Sequence, residues 1–145
     1  MSATPPAYDD DNIFAKILRG DIPSVKVYED AVVLAFMDVM PQGDGHVLVI
    51  PKAKARGILD VPPDVLAALM VRVQKVATAV RTAFAADGLT LLQFNEQAGG
   101  QTVFHLHFHV LPRFNGVPLR PHAGRMADRT VLEAQAAKIV SALDV

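Results

Sequence analysis

The sequence predicts an α+β fold: a five-stranded antiparallel sheet, a long helix, a short N-terminal helix and a C-terminal helix. Five short runs, over residues 25–29, 31–37, 46–50, 89–94 and 103–111, are apolar or alternate as strands do. Two stretches, 63–86 and 127–143, instead carry apolar residues at helical spacing. The strands are separated by hairpin-scale turns and not interleaved with helices, which favours an antiparallel sheet with segregated helices.

Residues 1–10 read as a flexible polar tail, leaving 11–145 as a single domain. Asp11 or Asn12 caps a short helix whose apolar residues Ile13, Phe14, Ile17 and Leu18 share one face and which Gly20 ends. Ile22-Pro23 is a connector, and Asp30 marks the turn between the first two strands. Pro41-Gln42-Gly43-Asp44-Gly45 turns into a β-branched strand from His46, stopped by Pro51, and 52–59 is expected to hold a short helix.

The long helix is expected to run from Pro63 to about Ala86, terminated by Gly88, with a core stripe through Val65, Leu66, Leu69, Met70, Val73, Val76, Ala77, Val80 and Phe84. Its first half, 65–71, is apolar on all sides, as a dimer contact or a deeper core would require. Arg113 to Gly124 is irregular. The C-terminal helix turns Val131, Leu132, Ile139 and Val140 inward.

The totals set limits on function. With 145 residues the chain can bury a substantial core, and its hydrophobic share of 51% fits that. A formal net charge of −1 and no basic run argue against nucleic acid and anionic membranes as partners. The absence of cysteine removes thiolate chemistry and cysteine-based zinc sites, and it fits a reducing compartment. No secretory signal and no apolar run of about 18 residues is present, so a cytoplasmic location is expected.

The most informative stretch is Val103-Phe104-His105-Leu106-His107-Phe108-His109-Val110-Leu111. On a strand, alternate side chains face opposite ways, so three imidazoles form one row and large apolar groups the other. Two neighbouring histidines could share a metal, with His46 as a further ligand. The outer pair, roughly 13 Å apart at the Cα level, reaches a common ion with difficulty. Imidazole is also a good nucleophile towards phosphorus and a proton donor near neutral pH. The glycine-bearing loop that precedes the row, with Asn95, Gly100, Gln101 and Thr102, offers neutral donors to an anion.

This pattern, His105-Leu106-His107-Phe108-His109-Val110-Leu111 followed by Pro112-Arg113, resembles the histidine triad (HIT) family of nucleotide-binding hydrolases and transferases. So do Asn12-Ile13-Phe14-Ala15-Lys16-Ile17, the 36–42 and 45–52 segments, and Gly100-Gln101-Thr102-Val103. The resemblance implies that His107 is the nucleophile, forming a nucleotidyl-histidine that water hydrolyses, with its tautomer fixed by a backbone carbonyl. It implies that His105 and His109 orient His107 and bind phosphate or leaving-group oxygens, and that His46 is a fourth active-site histidine. Asn95, Gly100, Gln101 and Thr102 would lie against phosphate or leaving group, and Asp38 would take the ribose hydroxyls. Ile13, Phe14, Ile17, Phe36 and Val39 would form the slot for the base; read alone, they would be ordinary core.

The implied protein is a homodimer that cleaves purine nucleoside phosphoramidates or related nucleotidyl conjugates, with no cofactor required. Hydrolysis of dinucleoside polyphosphates, or nucleotidyl transfer, is the alternative; a nucleotide-binding interaction protein with weak catalysis is another. Some microbial relatives carry a structural zinc on a Cys-x-x-Cys pair. Those positions are Asn12 and Ala15 here, so that zinc is not expected. His122 has no counterpart and is expected at the surface.

Overall fold

Residues 6–121 and 124–143 are described by the computed structural model, so His122 lies outside the described residues. In chain order the elements are α1 (Ile13–Arg19), β1 (Lys26–Glu29), β2 (Val33–Met37), β3 (Val47–Pro51), α2 (Pro63–Phe84), β4 (Gly88–Leu92), β5 (Phe108–Arg113) and α3 (Arg129–Leu143). The strands form one sheet in the order β1-β2-β3-β5-β4, every neighbouring pair antiparallel. The expected α+β architecture is what the chain adopts.

Both faces of the sheet are covered, which is why β2 and β3 are buried at every position. Val33, Ala35, Met37, Val47, Val49, Phe108 and Val110 pack against Leu69, Val73, Val76 and Val80 of α2 and Leu132, Ala136 and Ile139 of α3. On the opposite face Leu34, Phe36, Leu48 and Ile50 pack against Phe14, Ile17 and Leu18 of α1. Register puts His109 directly across from Leu48, so this histidine belongs to the α1 face.

Helix α1 begins where Asn12 Oδ1 accepts the Ala15 N–H at 2.9 Å and ends at Gly20 with φ 83°. The long helix stops earlier than the sequence predicts. Ala85 takes the left-handed conformation (φ 47°) and the Ala86 N–H closes onto the Arg81 carbonyl, so Gly88 is free to open β4. No helix forms over 52–59. Asp60 accepts the N–H groups of Arg56 and Gly57, and Asn95 Oδ1 accepts that of Ile58, so side chains satisfy the backbone there. In α3 the buried stripe is Leu132, Ala136 and Ile139; Val131 and Val140 flank it and are exposed, at 49% and 41%.

The largest departure is in the histidine run, where β5 starts only at Phe108 and continues through Pro112. The β3–β5 ladder ends at the Val49–Phe108 pair, although β3 itself runs on to Pro51. Residues 103–107 therefore leave the sheet, held by the Leu106 N–H on the Ala55 carbonyl at 2.8 Å.

The chain beyond β5 returns to the turn ahead of His46. The Arg120 and Ala127 N–H groups bond the carbonyls of Gln42 and Val39, and Gln135 Oε1 accepts the Gly45 N–H at 3.2 Å. Gly45 has φ 80°, and a Cβ there would lie 2.6 Å from the Phe84 ring. Gly45→Ala is expected to destabilise the fold by about 1–2 kcal/mol from backbone alone, and by more once Phe84 must move. Urea unfolding checks this; an unchanged midpoint would show that the turn relaxes freely.

Candidate active site

A cleft of about 280 Å³ opens between α1 and the end of the sheet. Ile13, Phe14, Ile17, Phe36, Asp38, Val39, Thr102, His107 and His109 all line it, as the sequence reading required. Ile22, Pro23, Ser24, Met37, Met40, Leu48 and Val103 line it as well. Nothing in the sequence marked the 22–24 connector for this role, because an irregular segment has no period that tells which way it faces.

The four expected histidines are all buried. His107 Nδ1 lies 2.6 Å from the backbone carbonyl of His105. A carbonyl can only accept, so Nδ1 carries the proton and Nε2 keeps the lone pair. The Phe14 ring meets the His107 ring edge-on at 4.9 Å and 89°, limiting its rotation. This is the carbonyl that the tautomer argument called for, and it comes from the chain's own triad. A continuous strand would have committed residue 105 to a ladder; the break at 103–107 leaves its carbonyl to the imidazole.

A second chain of donors runs through His46 and His109. The Gln42 N–H donates to His46 Nδ1 at 3.1 Å, so neutral His46 carries its proton on Nε2. That N–H points at His109 Nδ1, 2.8 Å away, with Asp38 Oδ2 at 3.5 Å. Neutral His109 therefore holds its own proton on Nε2. The His107 and His109 rings meet edge-on, with centroids 5.0 Å apart.

His105 stands apart. Its ring is fully buried, with Nε2 on the Pro51 carbonyl at 2.8 Å and Nδ1 against the Tyr8 hydroxyl at 2.5 Å. Both nitrogens are engaged away from the cleft, so its ring is not placed to bind phosphate oxygens; the backbone carbonyl is its contribution. Burial pushes its pKa down from 6.5 to about 4, against the Pro51 bond that raises it. The same contact with Tyr8 ties down the end of the segment that was expected to be a loose tail.

The glycine-bearing loop divides as well. Thr102 lines the cleft, whereas Gln101 is buried with its amide turned onto backbone: Oε1 accepts the Glu96 N–H, and Nε2 donates to the Arg56 and Val103 carbonyls. Gln101 thus shapes the loop and has no amide group left for an anion. Asn95 faces Gly57 and Ile58, at 2.8 Å from the Ile58 N–H. A Cβ at Gly57 would sit 2.6 Å from its oxygen. Gly100 turns the chain at φ 99° under the Phe94 ring. Arg56 grips Glu96 through two bonds of 2.8 and 2.9 Å and lies 4.1 Å over the Phe104 ring, tying this loop to the 52–60 segment.

Residues 19–116 match the HIT domain. The chain belongs to the HIT domain family. It is 44% identical to the protein hit of Bacillus subtilis (strain 168) over 102 residues, 70% of each chain. To the adenosine 5'-monophosphoramidase hnt1 of Schizosaccharomyces pombe it is 40% identical over 71% of this chain and 74% of that one. To the adenylylsulfatase HINT3 of Arabidopsis thaliana it is 40% identical over 71% of this chain, spanning 52% of that longer relative. Among solved structures, a HIT-like protein from Bartonella henselae, crystallised with an unknown ligand, superposes with a TM-score of 0.88 at 52% identity, covering 94% of this chain and 99% of that one. A zinc-bound histidine triad protein from Mycobacterium smegmatis superposes at 0.80 with 34% identity, covering 92% and 94%.

That zinc-bound HIT relative raises the question of a metal here. Asn12 and Ala15 offer no thiolate, and the Asn12 oxygen is spent on the helix cap. Ligand atoms of Asp38, His46 and His109 do lie within 4.8 Å of one another. Zinc–nitrogen bonds of about 2.0–2.1 Å in a tetrahedron set neighbouring ligands roughly 3.3 Å apart. The His46 and His109 nitrogens, at 2.8 Å, are closer than that, which is the distance of a shared proton. The trio is thus a candidate metal site whose two imidazoles share a hydrogen bond here.

A prediction follows from the buried His105 of this HIT site. Its folded-state pKa lies below the ordinary value, so as pH falls from 6.5 towards 4 the unfolded chain takes up the proton first. Stability contributed above pH 6.5 is thus lost on acidification through this window. Between pH 7 and pH 4 the wild type is expected to lose on the order of 3 kcal/mol more than His105→Gln. Parallel urea titrations at the two pH values give the difference; equal losses would mean that residue 105 is not held neutral by burial.

Proposed function

We propose that the protein hydrolyses purine nucleoside phosphoramidates or related nucleotidyl conjugates, with His107 as nucleophile. The observation that carries this reading is the Nδ1–H of His107 on the His105 carbonyl, which leaves an Nε2 lone pair on a ring that lines the cleft. Identity of 40% with a monophosphoramidase supports the substrate class.

The base lies among Ile13, Phe14, Ile17, Phe36 and Val39, and Asp38 accepts from the ribose hydroxyls. Nε2 of His107 attacks the α-phosphorus; the new P–N bond forms as the bond to the leaving group breaks. His109 Nε2–H faces the leaving group and supplies its proton, while the His46 Nε2–H stays bonded to His109 Nδ1 and holds the ring in place. Water then attacks phosphorus, the P–N bond to His107 breaks, and the proton lost by water returns to His109. The nucleoside monophosphate departs. Loss of a nucleophile of this kind commonly costs several orders of magnitude in rate. His107→Ala is therefore expected to lower turnover of adenosine 5'-phosphoramidate at least ~10³-fold, with AMP affinity held within a few-fold by calorimetry. Acid quenching of wild type with substrate should trap an adenylyl-histidine at residue 107. Retained turnover in the variant would refute the role.

The same chemistry accepts another leaving group. The relative that is an adenylylsulfatase favours adenylyl sulfate as a second candidate, and dinucleoside polyphosphates differ only in what departs. Side-by-side kcat/KM values on the three compounds rank them.

We also read the working unit as a homodimer. β4 is an edge strand with Leu91 exposed at 45%, and the first half of α2 exposes Met70 and Val71. Light scattering should give twice the mass of one chain, and Leu91→Lys should shift it towards one. A wild-type monomer at tens of micromolar would remove this reading.

A further inference from the structure

We propose that Tyr8 is a positioning residue for His107, acting through the ring and backbone of His105. The inference rests on His107 being the nucleophile, and it adds a residue that lies far from the triad in sequence and outside the cleft.

Residue 105 sits in the 103–107 stretch, beyond the reach of the β3 ladder, yet its carbonyl must stay in place to hold the His107 Nδ1–H at 2.6 Å. Two anchors act on that peptide. One is the neighbouring Leu106 N–H on Ala55. The other is the His105 ring itself, whose Nε2–H donates to the Pro51 carbonyl and whose Nδ1 accepts from the Tyr8 hydroxyl. With both nitrogens bonded, the ring has one tautomer and one flip state. Take away the Tyr8 hydroxyl and a fully buried acceptor is left bare, a state that favours ring rotation or local shift.

The surroundings keep both partners in the protonation states that this bond needs. Burial pushes the Tyr8 phenol up, so it remains a donor, and pushes the His105 imidazole down, so it remains an acceptor. The groups that face them are Asn12, Asp10, Lys54 and Arg19 around Tyr8, and His107 and Asp60 around His105. The backbone around Tyr8 is itself pinned. Asp10 pairs with Lys54 at 2.7 Å, Arg19 donates to the Asp10 carbonyl at 2.7 Å, and Asn12 Nδ2 donates to the Asp9 carbonyl at 2.7 Å. An N-terminal segment with no regular structure is thereby fixed over one histidine ring, 97 positions away in sequence.

Tyr8→Phe keeps the aromatic ring, which meets His105 edge-on at 5.6 Å, and removes only the hydroxyl. Long-range proton–nitrogen NMR on the full-length variant reads the imidazoles of His105 and His107 directly. The expected result is a changed Nδ1 resonance at His105, a shifted or broadened Nδ1–H signal at His107, and a melting temperature within a few degrees of wild type. On adenosine 5'-phosphoramidate, kcat should fall about tenfold with KM within twofold, because Tyr8 does not line the cleft. An unmoved His107 signal, or an unmoved kcat, would overturn the proposal. If the wild type turned over no nucleotide conjugate, the reading of His107 as nucleophile would fall, while the resonances would still decide whether Tyr8 holds that ring.

Discussion

The whole site depends on one hydrogen bond made by a segment that fails to be a strand. An imidazole has two nitrogens, and only a carbonyl at one of them guarantees a lone pair at the other. Here the carbonyl comes from the residue two positions earlier, in the stretch beyond the last β3–β5 pair, Val49–Phe108. The sheet brings His109 to the cleft, and the break in the sheet decides what His107 can do there.

Around that bond the fold supplies stiffness from several directions. Phe14 on α1 restricts the His107 ring; His46, reached through the turn at Gly45, holds His109; Gln101 and the Arg56–Glu96 pair hold the loop beside them. The C-terminal segment adds to this by bonding the Val39 and Gln42 carbonyls, so the extension beyond β5 supports the same turn that delivers the Gln42 N–H to His46. The shared effect of these contacts is that each imidazole has a single tautomer.

Burial serves the same end by a different route. Charged imidazolium in this interior would cost desolvation, which is the main reason that the His105 ring is neutral over the physiological range. A protonated His105 could not accept from Tyr8, and the ring would lose one of its two anchors. The apolar packing on the α1 face is thus part of the electrostatics of the site as well as of its stability.

Much of this was legible in the chain alone. Alternation of three histidines with Leu106 and Phe108, the Asn12 and Gly20 caps, and the β-branched run at 47–50 follow from local geometry and burial. The family resemblance singled out Ile13, Phe14, Phe36, Val39 and Asp38, and all five line the cleft. Three things required the folded molecule. Strand length at the triad depends on where pairing with β3 stops, which residues 103–111 alone do not show. The inward turn of Gln101 and the outward turn of Val131 depend on which neighbours offer carbonyls or apolar surface. The contact between Tyr8 and His105 joins positions that no periodicity connects, since an irregular segment takes its direction from whatever it packs against. Sequence determined which groups could do the chemistry; tertiary structure decided where each proton sits, because a tautomer is set by the neighbour across space.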